Sequence, residues 1–437
     1  LSLVGCAIVV LSRVPALAQS PLDALVQQAL QNNPALKAQR AKVAAARQVP
    51  SQMKALPDPT ADIEFMNIAL NGSSGSNALT KGVSLGVTQV LPYPGKRGLA
   101  AKAAEGETVV QEARLAVMEW RVRSAVVAAA YRYWTASKLL QINTQTLDAL
   151  QTTVEGALAR YSTGGGNQAD ALLAQSAVTK STAERRDLDK QREVARARIE
   201  SLLASPVEDA ALAGAGLPES AALPGLQPLL AFLDTHAPEV AIAQAEAAVA
   251  DTGAEAAKKN FKPDFMVGGR FRYKDMTMGG QNYLTAMVGM TLPFFHRRDR
   301  YQPALDEALQ RRQGALEEVN EARNTARYKL AEAYQSADRD AKIVTLYDQG
   351  LLLQARQAYE ATMSAYSTGR SDFSALLMSL TRLYTYESEA VIARGEYPQM
   401  VAEMEAVLGR PLHGIDPVSD IPSIVPNPAT SIPDGKD

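Results

Sequence analysis

Cysteine is nearly absent from this chain: Cys6 is the only one in 437 residues. That excludes an internal disulfide framework, and beyond residue 6 it leaves no thiol for redox chemistry or metal binding. Histidine is almost as scarce, with His236, His296 and His413 far apart and without metal-ligand spacing. Aromatic residues reach only 6% although apolar residues reach 46%, and much of that apolar share is alanine. Small apolar side chains at such density suit long helices in close lateral contact. A net charge of −2 gives no basic excess to attract nucleic acid. Beyond the first residues, no run approaches the ~18 apolar residues of a membrane helix. Nucleophile–base pairings, phosphate loops and metal-spaced clusters are also missing. Gly164-Gly165-Gly166, for one, lacks the Lys-Ser/Thr that a phosphate loop needs. An enzyme is therefore not expected, nor is a cofactor.

The amino terminus is read in two ways, both of which export the chain. An apolar run ending in Ala16-Leu17-Ala18 predicts a secretory signal peptide over residues 1–18. Leu3-Val4-Gly5-Cys6 instead resembles a lipoprotein box, which would make Cys6 a lipid-bearing first residue. The apolar stretch that continues past Cys6 favours the signal peptide.

What the chain does have is a duplication. Tyr161-Ser162-Thr163-Gly164 recurs as Tyr366-Ser367-Thr368-Gly369, Pro57-Asp58 as Pro263-Asp264, and Leu91-Pro92 as Leu292-Pro293. Asn33-Pro34-Ala35-Leu36 has a looser echo in Ala237-Pro238-Glu239-Val240, and Leu202-Leu203 before Pro206 is answered by Val407-Leu408 before Pro411. The landmarks keep their order at an offset of about 205 residues, far longer than a solenoid period. Two structural repeats follow, 19–205 and 227–412, joined by a linker over 206–226 and followed by a tail over 413–437. That tail is rich in Pro, Ser, Asp and Gly and reads as disordered or surface-draped.

Each repeat reads as helix, strand, strand, long helix, shorter helix. In the first, helical periodicity covers 21–55, strands 61–70 and 82–91, a helix 97–162 and another 167–204. The second gives a helix over 227–258, strands near 265–274 and 283–292, and helices over 299–366 and 371–409. No proline occurs between Pro94 and Pro206. A helix over 97–162 is on the order of 100 Å long and needs similar rods beside it.

The strands alternate. Ile63 and Phe65 oppose Asp62 and Glu64; Val83, Leu85 and Val87 oppose Ser84, Gly86 and Thr88; Phe265, Val267, Phe271 and Tyr273 oppose Gly268, Arg270, Arg272 and Lys274; Leu284, Ala286, Val288, Met290 and Leu292 oppose Thr285, Gly289 and Thr291. About ten residues with one apolar face fits a membrane barrel with a wet lumen, although a half-buried soluble hairpin alternates equally well. In an exported chain with such long helices the barrel is the better reading. Four strands cannot close in lipid, because each unpaired edge group costs several kcal/mol. The expectation is an obligate oligomer, with a trimer giving twelve strands.

Gln89-Val90-Leu91-Pro92-Tyr93-Pro94-Gly95-Lys96-Arg97 resembles the strand-to-helix junction of TolC-like outer-membrane efflux proteins, closest to the heavy-metal efflux branch. Tyr161–Gly164 through Asp170-Ala171-Leu172-Leu173-Ala174-Gln175, and Tyr366–Gly369 through Arg370-Ser371-Asp372-Phe373 with Leu376-Leu377, resemble that family's hairpin tips. The resemblance spans about residues 21–412. It implies a mainly α fold with a small β part: a homotrimeric twelve-strand outer-membrane β-barrel continued by a twelve-helix periplasmic α-barrel. It also implies passive export from a periplasmic adaptor and an inner-membrane pump of the RND type to the exterior of a Gram-negative cell. Metal cations are the first choice of substrate; drug or solvent efflux and type I secretion are alternatives. The non-channel rival is a periplasmic coiled-coil scaffold.

The resemblance further implies that Tyr161, Gly164, Gly165, Tyr366, Gly369 and Arg370 form adaptor-facing tips, while the glycines read locally as helix C-caps. The family often carries a carboxylate ring just past the second tip. Here Ala375 and Met378 stand at that point, leaving Asp170 and Asp372 as candidate constriction residues, or as plain surface carboxylates. Pro92, Pro94, Gly95 and Pro293 end strands and admit the chain into helices. Lys96, Arg97, Arg297, Arg298 and Arg300 read either as contacts to membrane phosphates at the inner rim or as solvated charges. Met276 and Met278, with Met266, Met287 and Met290, raise a soft-metal reading, but loop and core methionines are commoner.

Overall fold

The computed structural model describes residues 21–66, 82–209, 212, 223–274 and 281–412. The expected signal peptide with Cys6, strand residues 67–70, Met276, Met278, His413, much of the linker and the tail 413–437 lie outside them.

The first repeat opens with α1 (Pro21–Asn32), α2 (Pro34–Ala46) and α3 (Val49–Lys54). One helix over 21–55 was expected, and the difference has a local cause. Proline offers no amide donor and drives the residue before it out of the helical region. At Pro34 the break is stabilised by Asn33, whose Oδ1 accepts from the amides of Ala35 (2.9 Å) and Leu36 (3.3 Å). Pro50 sits in the first turn of α3, where a missing donor costs nothing. Next come β1 (Thr60–Met66), β2 (Gly82–Leu91), α4 (Lys96–Ser162) and α5 (Gln168–Leu203).

The second repeat supplies α6 (Leu226–His236) and α7 (Pro238–Lys259), parted at Ala237 by Pro238, then β3 (Phe265–Lys274) and β4 (Tyr283–Met290). A 3₁₀ turn at Pro293–His296 and a π turn at Arg297–Tyr301 lead into α8 (Gln302–Leu346). A second π turn, Tyr347–Leu351, precedes α9 (Leu352–Ser367) and α10 (Phe373–Leu408). The helix expected over 299–366 is thus interrupted by a π turn at its start and another within it. No described helix is long and apolar enough to cross a membrane.

The chain forms two compact units, and both repeats contribute to each. The first draws on Leu1–Lys37, Met118–Leu233 and Tyr328–Asp437, the second on Ala38–Val117 and Asp234–Arg327. In the first, Leu36, Ile199, Leu203, Leu229, Leu233, Met404 and Leu408 are fully buried. Asn33 Nδ2 donates to the Leu202 carbonyl there (3.0 Å), tying the start of α2 to the end of α5.

In the second unit the N-terminal part of α4 packs tightly on α7. A Cβ at Gly106 would lie 2.7 Å from Val249 Cγ2, so glycine is what permits the approach. Arg114 pairs with Glu246 along the same seam. The four strands form one antiparallel sheet in the order β1-β2-β3-β4. Ile63, Leu85, Phe271 and Leu284 lie in one cross-strand row, and Asp62, Gly86, Arg270 and Thr285 in the next. The expected alternation therefore holds across all four strands as one apolar and one polar face. The apolar face is bare: Leu284 and Val288 are each 82% exposed. Among the described residues, the outer edges of β1 and β4 have no strand partner.

Candidate functional site

Four places carry the chemistry of this molecule: two hairpin tips, a strand–helix junction and the polar face of the sheet.

The tips are built alike. After α4, Gly164 adopts φ +74°, its amide donating to the Tyr161 carbonyl (3.1 Å) while that of Gly165 donates to Arg160 (2.9 Å). After α9, Gly369 adopts φ +72°, its amide donating to Tyr366 (3.0 Å) while that of Arg370 donates to Ala365 (2.8 Å). Both are left-handed C-caps that close the carbonyls of a finished helix. The following helices are capped as well. Asn167 Oδ1 accepts from the Ala169 amide (3.1 Å), and Asp372 Oδ1 from that of Ala375 (2.7 Å).

The two tips meet through a small core of Ala157, Ala171, Ala174, Tyr366, Phe373 and Leu376. Arg160 Nη1 donates to the Tyr366 carbonyl (2.8 Å) and its guanidinium lies 4.6 Å above that ring. The Tyr366 ring meets Phe373 edge-on at 5.9 Å. Tyr366 is thus 9% exposed, while its repeat counterpart Tyr161 is 48% exposed. Arg370 is exposed, Asp170 is half-buried, and Asp372 is exposed with its carboxylate engaged as a cap. Arg160 was not singled out from sequence, because nothing local to it signals a partner two hundred residues away.

At the junction, Gly95 adopts φ +93° and α4 begins at Lys96. Lys96 Nζ donates to Asp264 Oδ1 (2.8 Å) and to the Lys262 carbonyl (2.9 Å), and the Tyr93 amide donates to the same Asp264 oxygen (2.7 Å). The Thr291 amide also donates to the Asp264 carbonyl, and the Asp264 amide to Thr291 Oγ1, both at 2.8 Å. Arg97 Nη1 donates to the Lys54 carbonyl (2.8 Å). Lys96 and Arg97 are therefore fixed within the protein. Asp264, visible in sequence only as half of a repeated Pro-Asp, is the hub of both junctions.

On the polar face Arg270 reaches over β2 to pair with Asp62 (2.7 Å) and with Glu64 on β1. Ser84, fully buried between them, donates to Glu64 (3.2 Å). A Cβ at Gly86 would lie 2.5 Å from Asp62 Oδ1, so glycine in the middle strand gives the carboxylate room.

A bare apolar face, a charged opposite face and two unpaired edges describe a sheet that is completed by other copies in lipid. The family model for outer membrane efflux proteins matches residues 25–205 and 233–410. The chain belongs to this outer membrane efflux protein family.

Solved structures of similar fold include the outer-membrane channel OprN, with a TM-score of 0.76, 17% identity and 90% of each chain covered. The outer membrane protein VceC of Vibrio cholerae matches with a TM-score of 0.73 at 17% identity, over 90% of this chain and 96% of that one. The MtrE outer membrane channel of Neisseria gonorrhoeae, in an open state, matches with a TM-score of 0.71 at 18% identity, over 90% of each. Among curated proteins no sequence relative is found.

Members of the family are trimeric outer-membrane channels that work with an adaptor and an inner-membrane pump, and they are conduits, not enzymes. As an outer membrane efflux protein, the chain turns its apolar sheet face to lipid and its Asp62–Arg270 face to the bore. Its helices form the periplasmic extension.

Proposed function

We propose that this efflux channel passes heavy-metal cations, received through a periplasmic adaptor from an inner-membrane pump of the RND type. The observation that carries the cargo reading is the junction Pro94-Gly95-Lys96-Arg97, whose sequence resembles the heavy-metal branch. Its lysine is locked onto Asp264 at 2.8 Å, so the motif acts as a structural signature of that branch and not as a cation contact. Passive conduction asks for no tight metal site. Among the described residues no three His, Cys, Asp or Glu side chains gather as one.

The adaptor meets the tips at Tyr161, Gly164, Gly165, Gly369 and Arg370, which are exposed, while Tyr366 acts from beneath by fixing the second turn. Asp170 and Asp372 are the carboxylates available to narrow the tunnel there. A deletion strain grown against copper, silver, zinc, cobalt and a panel of dyes tests the cargo. The expected result is lost tolerance to at least one metal with dye tolerance unchanged. Sensitivity to dyes alone would transfer the channel to drug efflux.

A further inference from the structure

The second unit holds a cavity that conduction does not use. It opens where β4 gives way to the turn at Pro293 and encloses about 540 Å³, within the range of small-ligand sites. Lys258, Lys262 and Arg297 line it with Phe261, Leu292 and Phe294, and no carboxylate does. Arg297 lies 5.7 Å over the Phe261 ring. Among the described residues, no ion pair engages any of the three cations. Like charges converging on one cavity repel one another unless an anion joins them.

The location narrows the anion. Leu284, Ala286, Val288 and Met290 form the apolar row of β4, and the exposed Leu292 and Phe294 follow it in the chain, Phe294 within the 3₁₀ turn. Phe294 and Phe295 are 62% and 70% exposed. Aromatic side chains and cations at the end of an apolar strand row mark a membrane boundary. Because helices follow directly, this is the periplasmic one.

The other repeat supplies a comparison within the same chain. Its counterparts of Lys258, Lys262 and Arg297 are Gln52, Leu56 and Lys96. Two are uncharged, and the third is consumed by Asp264. The cluster belongs to the second repeat alone, so it is not required merely to turn a strand into a helix.

We propose that this cavity holds the phosphodiester headgroup of an anionic phospholipid of the inner leaflet, its acyl chains lying along Leu292, Phe294 and the apolar strand face. The site is independent of what the bore transports. The test uses the full-length trimer extracted from vesicles of phosphatidylethanolamine mixed with phosphatidylglycerol, with retained lipid counted by native mass spectrometry. The wild-type trimer should keep phosphatidylglycerol in preference, up to one per subunit. Lys258→Gln/Lys262→Gln/Arg297→Gln should lose that retention by at least about ten-fold while still forming heat-resistant trimers; Arg298→Gln/Arg300→Gln should keep it. If the triple variant fails to trimerise, the lipid preference of the wild type decides. Equal retention of both lipids, no retention because a neighbouring subunit fills the cavity, unchanged retention in the triple variant, or displacement by inorganic phosphate would each overturn the proposal.

Discussion

At the scale of single residues, two positions show the backbone being spent on side-chain placement. Gly86 lets Asp62 lean across the middle strand to Arg270, whose guanidinium also pairs with Glu64, on the bore face that Arg272 shares. Removing the Arg270 guanidinium takes away the ion-pair partner of both carboxylates and one positive charge from this face. Arg270→Gln should therefore raise cation over anion permeability by roughly two-fold, since charged rings set pore selectivity. Reversal potentials in planar bilayers under a salt gradient measure it. An unchanged potential would mean that this face does not line the conducting path. The second position is Ala204, which ends α5 at φ +53° where its counterpart after α10 is Gly409 at φ +67°. A left-handed alanine costs about 1–2 kcal/mol, partly offset because glycine loses more freedom on folding. Ala204→Gly should gain up to about 1 kcal/mol, read as a higher thermal midpoint, and Gly409→Ala should lose a similar amount.

At the scale of elements, the second tip lets a structural role be separated from a functional one. Asp372 caps α10 through Ala375, and either a carboxylate or an amide oxygen can accept that bond. Asp372→Ala should cost about 1 kcal/mol and speed hydrogen exchange in the first turn of α10. Asp372→Asn should preserve the cap, so any change in conductance it causes reports on the lost charge alone. Between α6 and α8, hydrogen bonds from Arg327 hold the Asp234 carboxyl below its ordinary range. Because the folded value is the lower one, this contribution is complete above the unfolded value of about 3.9 and is lost as pH falls through the folded value. The pair is partly exposed, so it is worth less than about 1 kcal/mol. Asp234→Asn should flatten that part of an acid-unfolding curve and leave neutral stability little changed. What could be read from sequence at this scale follows from short-range physics. Alternation gave the strands, and the proline-free span gave α4 almost to the residue. The breaks at Asn33 and Ala237 were also signalled, by Pro34 and Pro238, against an apolar periodicity that runs straight through them. The π turn at Tyr347–Leu351 had no such signal. It is held by contacts to α10, with Tyr347 donating to Glu389 and Arg394 to Asp348, so only the packed neighbour reveals it. That hydrogen bond to Glu389, aided by burial and by the nearby carboxylate charge, pushes the Tyr347 hydroxyl up to about 12.

At the scale of the whole molecule, the duplication predicted an assembly because each copy brings two strands and neither pair can close. Long-range pairings stayed hidden for the same reason that the repeat was visible: identity recurs along the chain, but a contact such as Arg160 with Tyr366 or Lys96 with Asp264 joins unlike residues. The facing of the sheet is the claim on which the assembly rests, and it can be tested by moving one charge by one residue. Val288 lies on the apolar face and Met287 on the polar one, in adjacent rows of β4. Successive strand residues point to opposite faces, so the two sites sit at nearly the same membrane depth. Arginine facing lipid costs about 2–4 kcal/mol at the midplane and less toward the interfaces, whereas arginine facing a wet lumen costs little. Three subunits multiply that penalty within one barrel. Val288→Arg should therefore sharply reduce the heat-resistant trimer recovered from outer membranes, and Met287→Arg should leave it near the wild-type level. Equal losses would mean that both faces are dry, and the reverse order would turn the barrel inside out.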